Sequence, residues 1–263
     1  MVFFPLVIPL VRILPYWFLR ILLILLADVL RPFDWRTKVV ATNLRTIYPS
    51  LNKRELNKLV RQTFRNFYLT YLRMLKLHTL EKWKQVVDFT ELEPLRRKKV
   101  VLFSIHMGPW DIVASRINKD GYRVKAVMER FPKPMRNIIE KYRGGVEIYT
   151  AGEDTLKMIR ELRKDEDFLL VILIDRVTSG NGEIIEFMGR KVMVPVGAFK
   201  IPKLIGAEPY FTVSIEEKGI TKVKVHPLDL DNTKKECLNL MKRYLKKYPD
   251  QWFNFYFFTQ KQT

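Results

Sequence analysis

Two stretches of this chain, Val100 to Ile105 and Phe168 to Ile174, are short, apolar and bounded by charged residues. Runs of that length read as strands buried on both faces, the kind that form parallel sheets beneath helices. Each ends directly in reactive groups. The first runs into His106-Met107-Gly108-Pro109-Trp110-Asp111, the second into Asp175-Arg176. Strand exits in one sheet can share an edge, and α/β folds place their reacting groups along it. Further strands are expected at Arg123 to Met128, Glu183 to Phe187, Pro209 to Ile215, Thr221 to Val225 and Trp252 to Phe258. Between them lie amphipathic helices at Pro134 to Tyr142 and Thr155 to Arg163, and a basic helix at Thr233 to Lys247. This alternation predicts an α/β fold: one domain over residues 31–263 with a mixed β-sheet flanked by helices.

A helical N-terminal layer precedes the sheet. Thr37 to Tyr48 carries Val39, Val40, Leu44 and Ile47 and stops at Pro49; Ser50 or Asn52 can cap the helix that follows. Leu56, Leu59, Val60, Phe64, Phe67, Tyr68, Tyr71, Leu72 and Leu75 then recur at near-helical spacing. That stripe is expected to face the core.

Charge narrows the partners. With 47 Lys and Arg against 28 Asp and Glu the chain carries +19, a balance that seeks a polyanion, either nucleic acid or an anionic membrane surface. Residues 1–30 favour the membrane. They are almost wholly apolar or aromatic but are broken by prolines, Arg12, Arg20 and Asp28, so no clean apolar stretch of about 18–20 residues spans a bilayer. The segment reads as a membrane-anchoring element lying in the interface with snorkelling arginines, or as a core helix of the domain. No helix-turn-helix, zinc-finger or RNA-recognition signature supports a nucleic-acid partner. The single Cys237 excludes an internal disulfide framework and a cysteine-rich metal site.

His106 and Asp111 form a His-x4-Asp pair. A Gly-Pro turn between them can fold the aspartate back toward the ring, where a carboxylate would orient the imidazole and stabilise its charged form. Taken alone, the pair reads rather as a core histidine at a strand end and an aspartate acting as N-cap or first-turn helix charge. Three other features strengthen the catalytic reading. Asp175-Arg176 follows the second strand; Gly180 to Arg190 reads as a glycine-rich turn, a short strand and another turn; and Val194-Pro195-Val196-Gly197-Ala198 opens a helix whose amides could hold an anion or a thioester oxygen.

In this order the motifs resemble the bacterial lipid A late (lauroyl/myristoyl) acyltransferase family, within the lysophospholipid acyltransferase-like superfamily. Asn43-Leu44 and Tyr48-Pro49 match its helical region; His106, Gly108, Trp110 and Asp111 match its His-x-Gly-x-Trp-Glu/Asp element. Arg143-Gly144-Gly145, Asp175-Arg176, Gly182 through Phe187-Met188-Gly189, Pro195-Val196-Gly197 and Pro249-Asp250-Gln251-Trp252 follow in the family's order. Asp111 stands where many members have Glu, and Met188 replaces the usual second Phe.

The resemblance implies an enzyme that moves a fatty acyl chain from a thioester, carried by acyl carrier protein (acyl-ACP) or coenzyme A, to a hydroxyl of a lipid or glycolipid. It would use no metal or other cofactor and would work on the cytoplasmic face of the bacterial inner membrane, among anionic lipids. His106 would be the general base and Asp111 its orienting carboxylate. Arg143 and Arg176 are candidates for a phosphate of donor or headgroup. Asp175 would orient Arg176 or a loop, with Gly182, Glu183, Glu186, Gly189, Pro195 and Gly197 as further substrate-binding candidates. Two rivals remain. A lysophosphatidic acid acyltransferase shares His-x4-Asp, but its Phe-Pro-Glu-Gly-Thr-Arg-like phosphate motif has no match here. A non-catalytic basic protein would use the charge alone.

Overall fold

A computed structural model describes residues 11, 13–76, 87–130, 145–177 and 182–258. The helix expected at Pro134 to Tyr142 lies outside them.

The helical layer comes first in the chain. Helix α1 (Tyr16–Leu30) is followed by α2 (Arg36–Ile47) and α3 (Lys53–Lys76). Asn52 starts α3 as its cap: its Oδ1 accepts from the Arg54 and Glu55 amides at 3.0 and 2.9 Å, and its own amide donates to Glu55 Oε2 at 3.1 Å. This reciprocal arrangement satisfies donors that every helix start leaves open and is worth about 1 kcal/mol. α1 is 15 residues long, or about 22 Å. Among the described residues no helix is long and apolar enough to cross a membrane.

The sheet has seven strands in the order β1-β9-β8-β2-β5-β3-β4. They are β1 (Val87–Asp88), β2 (Lys99–Ser104), β3 (Val124–Met128), β4 (Glu147–Thr150), β5 (Phe168–Leu173), β8 (Glu208–Glu217) and β9 (Ile220–Pro227). Every pairing is parallel except β8 with β9, so the sheet is mixed, as the alternation predicts. A separate hairpin joins β6 (Glu183–Phe187) to β7 (Arg190–Val194). Its two-residue turn puts Met188 and Gly189 at φ of 54° and 75°, the left-handed pair that matches strand twist. Met188 in that position is strained where Gly189 is not.

Helices α4 (Trp110–Lys119), α5 (Thr155–Lys164), α6 (Ile201–Ile205) and α7 (Thr233–Lys247) complete the fold. The pleat of β2 splits the core in two. Val101 and Phe103 join α2, α3, α5, α6 and α7 on one face, while Val100 and Leu102 join α4 on the other.

One expectation needs correcting. Trp252 to Phe258 is not a ladder strand but an extended strap, bridged to the sheet only at Met107–Trp252. Its neighbour there is a tight turn rather than a strand, which offers Gly108 N–H to Gln251 O at 2.8 Å and His106 O to Phe253 N–H at 2.7 Å. The strap's remaining backbone groups go elsewhere.

Candidate active site

β2 and β5 run side by side in parallel, with Ser104 level with Leu173. Two residues further along each strand stand His106 and Asp175. The Ile174 amide still bonds Ser104 O at 2.9 Å, so the ladder holds the two exits together. His106 Nδ1 lies 2.7 Å from Asp175 Oδ1, and the His106 amide donates to Asp175 Oδ2 at 3.1 Å. An ionised carboxylate only accepts, so Nδ1 carries a proton, and in the neutral form of the ring the lone pair then falls on Nε2; His106 lines the cavity. Trp110 meets the imidazole edge to face, with ring centroids 5.2 Å apart.

Asp175 is fully buried. Burial alone would raise its pKa, but the charge and hydrogen bond of His106, with Arg176 and the Trp252 indole behind them, hold it below the usual carboxylate range. The indole N–H donates to Oδ2 at 2.7 Å. Arg176 turns toward the strap: Nε donates to Asn254 Oδ1 at 3.0 Å, Nη2 to Phe253 O at 3.2 Å, and its guanidinium lies 4.4 Å from the Tyr256 ring centroid. Burial lowers its pKa, and the charge of Asp175 opposes that shift. Gly108, in the turn beyond His106, has φ of 58°, and a Cβ there would collide with the Ser214 carbonyl.

His106 opens on a cavity of about 1060 Å³, at the upper end of the range for bound small molecules. One lobe runs under α4. Its walls include Leu102, Val171 and Ala126, which sit level on adjacent strands, with Val113, Ala114 and Ile117 above them. A second part reaches Met158, Ile159, Ala198, Ile201 and Leu204. Trp35, Tyr71 and Tyr256 also line the cavity.

Asp111 stands in the first turn of α4 and lines this cavity, as do Arg176, Pro195 and Gly197. The partner on Nδ1, however, is Asp175, a residue that the sequence reading gives to Arg176 or a loop. The parallel ends Ser104-Ile105-His106 and Leu173-Ile174-Asp175 carry the signal that finds the pair. Gly182, Glu183, Glu186 and Gly189 belong to the hairpin and do not line the cavity. Glu183 pairs with Lys234 at 2.7 Å, Glu186 is exposed, and Gly182 packs where a Cβ would strike Met193. Arg143 lies outside the described residues. Trp252 and Asn254 are site residues that strand and dyad reasoning does not find. Among the described residues no group of three or more His, Cys, Asp or Glu side chains could hold a metal ion.

A mixed α/β sheet thus brings a histidine and a carboxylate together at its strand exits, over a large and mostly apolar cavity, in the place where α/β folds put their sites. The model of the bacterial lipid A biosynthesis acyltransferase family matches residues 3–255, and the chain belongs to that family. No match is found among curated proteins.

Proposed function

We propose that this acyltransferase moves a fatty acyl chain from a thioester donor, acyl carrier protein or coenzyme A, to a hydroxyl of a glycolipid at an anionic membrane surface. The observation that carries the reading is the His106–Asp175 pair, 2.7 Å apart, facing a largely apolar cavity. Nε2 takes the proton of the acceptor hydroxyl as its oxygen attacks the thioester carbonyl. Collapse of the tetrahedral adduct breaks the C–S bond, and the departing sulfur takes the proton back from the imidazolium. Asp175 holds the ring in the tautomer that leaves Nε2 basic and offsets the charge that forms on it. Asp111, in the cavity wall, is the second carboxylate of the proposed site, placed to meet the acceptor rather than Nδ1. The apolar lobe under α4 suits the donor's acyl chain.

The membrane part of the proposal rests on α1. Leu19 and Ala27 pack inward, and Asp28 ties the helix to Arg61 and Arg65 of α3, with Oδ1 at 2.8 and 2.9 Å from the two Nε atoms. Its other side leaves Trp17, Leu25 and Val29 about 60% exposed, and the row continues to Phe33 and to Trp35 in the cavity wall. A helix docked on one side and apolar on the other can lie in the bilayer interface. In this reading residues 1–30 anchor the protein to the cytoplasmic face of the inner membrane, and the acceptor enters past Trp35.

The test is thiol release and acyl-lipid formation from lauroyl-coenzyme A or lauroyl–acyl carrier protein, with lipid A-type glycolipid or lysophosphatidic acid in mixed micelles. His106→Ala is expected to lose about 10²–10⁴-fold in kcat while still folding and binding vesicles. Undiminished transfer would sink the assignment. Preference for lysophosphatidic acid would move the acceptor to the phospholipid class.

A further inference from the structure

The strap from Pro249 to Phe258 meets the site at more points than chain closure requires. Gln251 grips the Glu216 backbone from both ends of its amide, Oε1 accepting at 2.7 Å and Nε2 donating at 2.8 Å. Trp252 donates its indole N–H to Asp175 Oδ2. Asn254 Nδ2 donates to the Asp175 carbonyl at 2.9 Å, while its Oδ1 accepts from Arg176 Nε and, at 3.1 Å, from the Tyr256 amide. The strap is in turn held from α2. Asn43, only 1% exposed, donates through Nδ2 to Asn254 O at 2.9 Å and Tyr256 O at 2.8 Å, and its Oδ1 accepts from the Phe258 amide at 3.0 Å. One side-chain amide therefore satisfies three backbone groups of a segment more than 200 residues away in sequence.

Asp175 Oδ2 takes two N–H groups, from the His106 backbone and Trp252, which leaves Oδ1 turned to Nδ1. Rotating the carboxylate breaks all three bonds of a fully buried group, which is costly. Catalytic geometry must hold within about 0.5 Å, and a shift of about 1 Å can cost 10²-fold in rate.

We propose that Asn43, Trp252 and Asn254 are positioning residues for acyl transfer: Asn43 anchors the strap, and through Trp252 and Asn254 the strap locks Asp175 against His106. The inference rests on His106 acting as the base. Its prediction is a loss in kcat that passes through Asp175.

Trp252→Phe keeps the ring and removes the donor. With lauroyl-coenzyme A and lipid A-type glycolipid it should lower kcat about 10-fold and leave both KM values within about twofold. Asn43→Leu, close in size and without the amide, should lower kcat by about 10- to 100-fold. Both are repeated in an Asp175→Asn background. Residues that act through Asp175 must lose their effect there, whereas merely structural ones keep it. Equal fold losses in both backgrounds, wild-type kcat, or losses confined to KM would each overturn the inference. If Asn43→Leu does not fold, Trp252→Phe decides alone. A fully active His106→Ala would instead remove the underlying reading of the site; an inactive His106→Ala with a wild-type Trp252→Phe would remove only the lock.

Discussion

The polar corner around His106 and the lobe beneath α4 share one cavity and are built on opposite rules. At the corner, Asp175, Trp252, Asn254 and Arg176 bond one another at 2.7 to 3.0 Å, leaving little freedom. In the lobe, small and branched apolar side chains such as Ala114, Ala126 and Val171 meet no directional demand. Chemistry at one atom needs a fixed geometry. An acyl chain needs only apolar volume of the right depth, because burial is non-directional and adds about 0.8 kcal/mol per methylene. Changes at the corner should therefore act on rate and stability, and changes in the lobe on which donors are used.

The sharpest way to break the corner is Gly108→Ala. Its backbone is left-handed at φ of 58° and its missing Cβ makes room for the Ser214 carbonyl, which lies on a sheet strand and cannot swing away. Left-handed strain and overpacking together cost about 2–5 kcal/mol. We expect a thermal midpoint lower by roughly 10 °C or more and little remaining transfer. A variant that melts with the parent would show that the turn can relax and that the corner is less rigid than its bonds imply.

How far sequence reaches differs between the two regions for the same reason. Val100 to Ile105 and Phe168 to Ile174 are legible as buried strands because solid burial on both faces leaves a continuous apolar run. His106 is legible because it ends one of them. Its partner is harder to see: His-x4-Asp is a local spacing, whereas the bond to Asp175 depends on β2 and β5 being neighbours in register, a property of the sheet. Trp252 and Asn254 are harder still, since they act across more than 70 residues from a segment whose apolar texture reads as a strand. β1 and β4 escape for a humbler reason, being two and four residues long. The lobe is invisible in sequence because Leu102, Val171 and Ala126 are ordinary strand residues, and only the register of three neighbouring strands sets them side by side in the cavity wall.

The lobe is sharpened by Ala126→Leu. Ala126 is level with Val171 and Leu102 in the floor of the lobe, so a longer side chain there takes volume without touching His106. Pocket methylenes discriminate by about 10-fold or more each. Comparing lauroyl, myristoyl and palmitoyl thioesters, we expect the optimum to move to a shorter chain, with kcat on that donor near the parent's. Uniform loss on all donors would mean that the acyl chain lies elsewhere in the cavity.

The smallest effect is expected at α1, where the comparison meets a third kind of surface. Asp28 is held well below the usual carboxylate range by hydrogen bonds from Arg61 and Arg65, a pairing that outweighs the opposing effect of burial. A carboxylate depressed in the folded state stabilises the fold fully above its ordinary value near 3.9, and that contribution is lost as pH falls toward the folded pKa. The docking of α1 on α3 should therefore be unchanged from neutral pH to about 5 and loosen below about 4. Asp28→Asn should mimic the acid state at neutral pH, since it leaves two arginines facing a neutral amide. Hydrogen exchange in α1 should rise several-fold in the variant while the His106 corner keeps its protection, because local opening of a peripheral helix need not unfold the sheet. Equal loosening of corner and helix would show that α1 is part of the rigid frame rather than a separate element laid upon it.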